Sequence, residues 1–91
     1  MKSRIADALQ QKLTKAAITF ERTLQGSAHI FAIALEGRAD LHAEVRIVGG
    51  DMSLYLATDY ATQYRGGLQE PRDAIALVRV WQRRALKGKT P

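Results

Sequence analysis

Cysteine is absent from the 91 residues, which excludes disulfide staples and thiolate zinc sites. Long apolar runs are also missing. The longest, Ile30 to Leu35, falls well short of the roughly 20 residues a membrane-spanning helix needs. The opening stretch MKSRIADALQQK carries charge at Lys2, Arg4, Asp7 and Lys12, which breaks up the apolar segment a signal peptide requires. Together these absences predict a cytoplasmic, soluble chain with no membrane partner. No GxSxG, GxxxxGK[ST] or HExxH pattern occurs, so no catalytic motif, cofactor or metal site is indicated and no enzyme is expected.

Acidic residues are missing from one end. Residues 1–60 hold seven Lys/Arg and seven Asp/Glu, whereas residues 61–91 hold seven Lys/Arg against only Glu70 and Asp73. The net charge of +5 therefore belongs to the last third of the chain. Hydrophobic residues at 46% and charged residues at 25% suit a single compact domain over residues 1–91. Its core must be small, and residues 88–91 are expected to form a disordered tail.

The clearest predicted element is the last helix. Pro71 suits a first helical position, Asp73 falls in the first turn, and Gly88 follows the last periodic residue. At about 100° per residue, Ala74, Leu77, Val78, Trp81 and Ala85 form one stripe. Arg72, Arg79, Arg83 and Lys87 lie opposite it, with Arg84 beside them. Upstream, Ala28–Glu36, Leu41–Val48 and Met52–Thr58 read as strands, joined by the short EGRAD and VGGD links that make neighbours antiparallel.

Residues 3–24 admit two layouts. A helix over 3–16 followed by a strand over 17–24 gives α-β-β-β-β-α. A helical stripe through Ile5, Leu9, Leu13, Ala16, Phe20 and Leu24 gives one long helix and α-β-β-β-α. Either way the fold class is α+β, an antiparallel β-meander of three or four strands with an N-terminal and a C-terminal helix packed on one face. The other sheet face, or an edge strand, is open to a partner or to a second copy of the chain.

Two histidines stand in strands, His29 and His42, and both are expected as polar residues on the outer sheet face. The order Gly26-Ser27-Ala28-His29, four residues of the chain, resembles the Gly-Ser-His-x turn of HicA-type messenger-RNA-cleaving toxins. Ala28 here takes the place of the histidine that directly follows Gly-Ser. The resemblance implies an α-β-β-β-α fold of double-stranded-RNA-binding type and a small ribonuclease with His29 as its base, the remotest of the functional readings.

The arginines of the last helix carry the main functional expectation. Arg72, Arg79, Arg83, Arg84 and Lys87 present guanidinium and ammonium groups suited to carboxylates or phosphates. The connector Thr58–Glu70 adds Tyr60, Tyr64 and Arg65, residue types that interfaces enrich. The sequence therefore predicts a small binding or regulatory protein, such as an inhibitor of phage or mobile-element type, that docks on an acidic surface of a protein partner. A nucleic-acid-binding domain using the same helix is the alternative. Against it, the predicted strands offer no aromatic pair for stacking bases.

Overall fold

The computed structural model describes residues 2–91. In chain order it comprises α1 (Arg4–Lys15), β1 (Phe20–Gln25), β2 (Ala28–Ala34), β3 (His42–Val48), β4 (Asp51–Ala57), β5 (Thr62–Leu68) and α2 (Pro71–Leu86). The first helix is capped by Ser3, whose backbone is extended and whose side-chain oxygen accepts the Ala6 N–H at 3.1 Å. A serine cap of this kind satisfies one of the donors a helix start leaves free. Ala6, Leu9 and Leu13 recur on one side and are buried.

The end of α1 decides between the two layouts for residues 3–24. Ala17 adopts the left-handed conformation, with φ of 56°. Its N–H donates to the Thr14 carbonyl, and the Ile18 N–H donates to the Leu13 carbonyl. This pair of bonds is a Schellman stop, and the Ile18 and Leu13 side chains that accompany it are both buried. The helix therefore ends without a glycine, Phe20–Gln25 becomes a strand, and the single long helix does not form.

The five strands follow one another in order, each antiparallel to the next. Residues alternate between two faces, and the register puts Phe31, Ile33, Ala43, Val45, Ile47, Met52, Leu54 and Leu56 on the same side. Those residues form one apolar cluster with Ala6, Leu9 and Leu13 of α1 and Ala74, Val78, Trp81 and Ala85 of α2. Both helices thus cover one face of the sheet. The opposite face carries His42, Glu44, Arg46, Ser53, Tyr55 and Tyr64. The α+β class and the helix–meander–helix order hold as expected.

The strand count is higher than expected. The connector Thr58–Glu70 is not a long loop: Thr62–Leu68 forms β5 against β4. Leu54 pairs with Gly66 and Tyr55 with Tyr64, so Arg65 is an extra residue, a bulge. Bulging and the Gly66-Gly67 pair erase the alternation that identifies a strand, and an edge strand lacks a second neighbour to enforce it. One residue of the predicted buried stripe also differs. Leu77 is 38% exposed, because it lies at the margin of the face that Val78 and Trp81 bury.

Candidate functional site

Around the axis of α2, Arg72, Arg79 and Arg83 sit within about 40° of one another and roughly opposite Ala74, Val78, Trp81 and Ala85. All three arginines are exposed, as are Arg84 and Lys87. Arg84 is rotated toward the flank, and Lys87 lies just past the last helical residue, Leu86. Only Arg72 has an acidic partner in this group. Its Nε lies 2.6 Å from the Glu70 carboxylate, on the surface.

The fold adds two cations to this ridge from α1. Lys12, Lys15, Arg72 and Arg79 line an open groove of about 420 Å³ between the helices, with Ala16, Ile75 and Ala76 as its apolar part. No acidic residue lines it. Lys12 and Lys15 stand three residues apart in the last turn of α1, where the macrodipole favours cations. That spacing puts them on one face of a helix, which the sequence alone reveals. Their meeting with Arg72 and Arg79 depends on how the two helices pack.

The three connector residues do not gather into one surface. Tyr60 is 97% exposed in the turn between β4 and β5, where the Thr58 hydroxyl accepts the Tyr60 and Ala61 N–H groups. Tyr64 is on the open sheet face. Arg65 takes another course from the bulge: its guanidinium lies 5.7 Å from the centre of the Trp81 ring. It also donates to Gln63 and to a main-chain oxygen of Pro91. Residues 88–91 lie back along the molecule, since Arg38 donates to the Gly88 carbonyl and the Thr90 hydroxyl. The same Arg38 makes a two-pronged bond to Asp40 at 3.0 and 2.9 Å, which holds the Asp40 carboxyl below the ordinary carboxylate range.

With β5 in place, the open sheet face does carry an aromatic pair. Tyr55 and Tyr64 oppose one another across β4 and β5, ring centres 5.6 Å apart and edge to face. Arg46 lies over the Tyr55 ring at 4.4 Å and is ion-paired with Glu44. Only the pairing of β5 with β4 brings Tyr64 opposite Tyr55. It projects from the face opposite the helices, so the sheet itself separates it from the basic ridge.

His29 is not on the outer face. It shares the helix-facing side with Phe31 and Ile33 and is 5% exposed. Arg22 explains this placement. Its guanidinium donates to Asp7 at 2.9 Å and Gln10 at 2.7 Å on α1, and stands 3.0 Å from His29 Nδ1. It also lies 5.4 Å from the centre of the Phe31 ring. Arginine has only donors, so Nδ1 is the acceptor and the ring proton is on Nε2. A catalytic base at His29 would need that lone pair facing substrate, and the arginine occupies it. His42 is on the outer face as expected, but it pairs with Ala34 whereas His29 pairs with Ile47, at opposite ends of the β2–β3 ladder. The two histidines therefore form no joint site.

Among the described residues, no group of three His, Asp or Glu side chains is placed to hold a metal ion, and no helix is long and apolar enough to cross a membrane. The five-stranded sheet also departs from the three-stranded layout of the toxins that the Gly26–His29 turn resembles. Compared with known proteins, the chain matches no family model, no curated protein and no solved structure.

Proposed function

We propose that this chain is a non-enzymatic binding protein that receives an acidic segment of a protein partner in the groove between α1 and α2. The observation that carries the proposal is the lining of that groove: four cations, of which only Arg72 is ion-paired among the described residues, an apolar floor and no carboxylate among the lining residues. A segment with acidic residues on its flanks and an apolar side chain between them satisfies both parts at once. Arg79 offers its planar fork to a carboxylate, while Lys12 and Lys15 act as point charges from the other wall. Arg83 and Lys87 continue the positive surface along α2.

A phosphate backbone would use the cations and leave Ile75 and Ala76 without a counterpart. A single strand stacking on Tyr55 and Tyr64 would lie on the far side of the sheet from the ridge. Arg46, the cation over the Tyr55 ring, is already paired with Glu44. These placements favour a protein partner over nucleic acid.

Fluorescence anisotropy tests this directly with three labelled probes: an acidic peptide bearing spaced leucines, a polyglutamate of equal charge, and single-stranded RNA. The leucine-bearing peptide should bind tightest, and Arg79→Glu should weaken it about tenfold or more. RNA binding more tightly than either peptide at the same salt would overturn the proposal in favour of nucleic acid. So would peptide binding that Arg79→Glu leaves unchanged.

A further inference from the structure

A second hollow lies at the other end of α1, away from the groove. Ser3, the cap of that helix, and Arg4 and Ile5, its first two residues, line this hollow of about 290 Å³ together with Lys2, Ser27, His29 and Gly49. The Ser3 side chain satisfies the Ala6 N–H. The N–H groups of Arg4 and Ile5 have no acceptor within the helix, because a helix start supplies none. Helix starts bearing such free donors attract anions, and the macrodipole adds to the attraction.

A helix start alone is common, and His29 makes this one different. Its Nε2 is buried and has no hydrogen-bond partner among the described residues. Because Arg22 holds Nδ1 as the acceptor, Nε2 carries the proton and is an unsatisfied donor in the wall of the hollow. A buried donor without an acceptor is costly, and such a group is met by a bound water or ion or kept for a function. The Arg22 contact gives the ring its orientation and tautomer before any ligand arrives. The hollow therefore gathers the start of the α1 main chain, the His29 ring and Ser27, with the cationic Lys2 and Arg4 also in its lining. No carboxylate lines the hollow, and Asp7, the acidic residue of the first turn, is engaged by Arg22.

We propose that this hollow binds a phosphate group, His29 Nε2 donating to one phosphate oxygen and the Arg4 and Ile5 N–H groups to another. Tetrahedral oxyanions with several acceptor oxygens suit donors arriving from separate directions, and the flanking Lys2 and Arg4 favour a dianion. Nε2 itself is buried, so a phosphate oxygen reaches it only when a side chain lining the hollow moves aside.

The test is a titration of isotope-labelled protein followed by NMR, with inorganic phosphate in one arm and a phosphomonoester, 5′-AMP, in another. Sodium chloride of equal ionic strength is the control. Saturable shifts of the Arg4 and Ile5 amides and of the His29 ring Nε2–H with phosphate, and not with chloride, are expected. Tighter binding of 5′-AMP would identify a phosphate carried on a larger ligand, and equal binding would identify free phosphate. Both outcomes support the site.

Arg4→Gln, a surface change, should weaken binding about tenfold without moving the thermal midpoint appreciably. His29→Gln keeps a donor, whereas His29→Phe removes it, so the first should retain measurable binding and the second should lose it. If His29→Phe fails to fold, Arg4→Gln still decides the question. Shifts confined to Lys12, Lys15 and Arg79 would overturn the proposal and assign the anion to the groove. So would no phosphate-specific shift at all.

Discussion

Replacing Ala17 with glycine should make the protein more stable, although it removes a methyl group. Ala17 terminates α1 with φ of 56°, a region where a Cβ is crowded against the backbone and costs on the order of 1–2 kcal/mol. Glycine removes that cost but enlarges the freedom of the unfolded chain, which offsets about 0.4–1 kcal/mol. Ala17 is exposed, so the lost methyl takes no core contact with it. The net expectation is about 0.5–1 kcal/mol in favour of glycine. For a domain of this size that raises the thermal midpoint by roughly 2–8 °C.

The mirror experiment is available at the end of α2, where Gly88 has φ of 75° and open space around its Cβ position. There the Gly88 N–H donates to Ala85 and the Lys89 N–H to Arg84, the same Schellman stop. Gly88→Ala should therefore lower the midpoint by a similar amount. Circular dichroism melts of the two variants and the double variant read both effects. A midpoint that stays put or falls in Ala17→Gly, with Gly88→Ala behaving as expected, would refute the claim that Ala17 holds a strained stop.

Three further outcomes follow from contacts elsewhere in the fold. Gly37 has φ of 90°, and an added Cβ would stand 2.7 Å from the Ala85 carbonyl oxygen. Gly37→Ala must therefore push the β2–β3 turn off α2 and should cost about 2 kcal/mol or more in urea unfolding. Arg22→Leu strips the acceptor Nδ1 of His29 and the carboxylate of Asp7 of their shared donor. A loss of about 1–3 kcal/mol is expected, mostly from the buried histidine, since Asp7 is 61% exposed and its ion pair is worth little. The Asp40 carboxyl is held low by Arg38, so its contribution is present above its unfolded-state value and lost as pH falls through the lowered folded one. Asp40→Asn should accordingly flatten the acid side of a plot of urea midpoint against pH and leave the neutral side nearly level.

How much of this was legible in the sequence depends on what made each element recognisable. The helix α2 announces itself through Pro71, Asp73 and Gly88, each placed by a requirement of the helix itself. The central strands alternate because both faces of their ladder are fixed by neighbours. The end of α1 carries no such mark, since alanine at the left-handed position has no distinctive identity. Only the burial of Leu13 and Ile18 shows why the chain turns there. The strand β5 hides behind Gly66, Gly67 and the bulge at Arg65, and with it hid the Tyr55–Tyr64 pair. The inward position of His29 is hidden for a related reason. A histidine among alternating residues is read as outward-facing, and nothing local reveals that Arg22, seven positions earlier, reaches it on the inner face.

Among the cations of the groove, Arg79 is the one whose charge the fold does not account for. Lys12 and Lys15 occupy the last turn of α1, and Arg83 and Arg84 the last turn of α2, where the helix dipole favours positive charge without reference to any ligand. Arg72 sits near the start of α2, where the dipole opposes it, and is compensated by Glu70. Arg79 is in mid-helix, and three and four residues away on either side stand Ile75, Ala76, Gln82 and Arg83, none acidic. Along the helix Arg83 repels it by about 0.2–0.5 kcal/mol, Lys12, Lys15 and Arg72 share its groove, and Glu36, which lines a neighbouring hollow with it, makes no ion pair with it. Glutamine has nearly the same helix propensity as arginine, so Arg79→Gln should leave the thermal midpoint unchanged or raise it slightly. Binding of the acidic peptide should weaken in the same variant. Stability held or improved while affinity falls is the pattern of a residue kept for a partner, and a fall in both together would make Arg79 a structural residue instead.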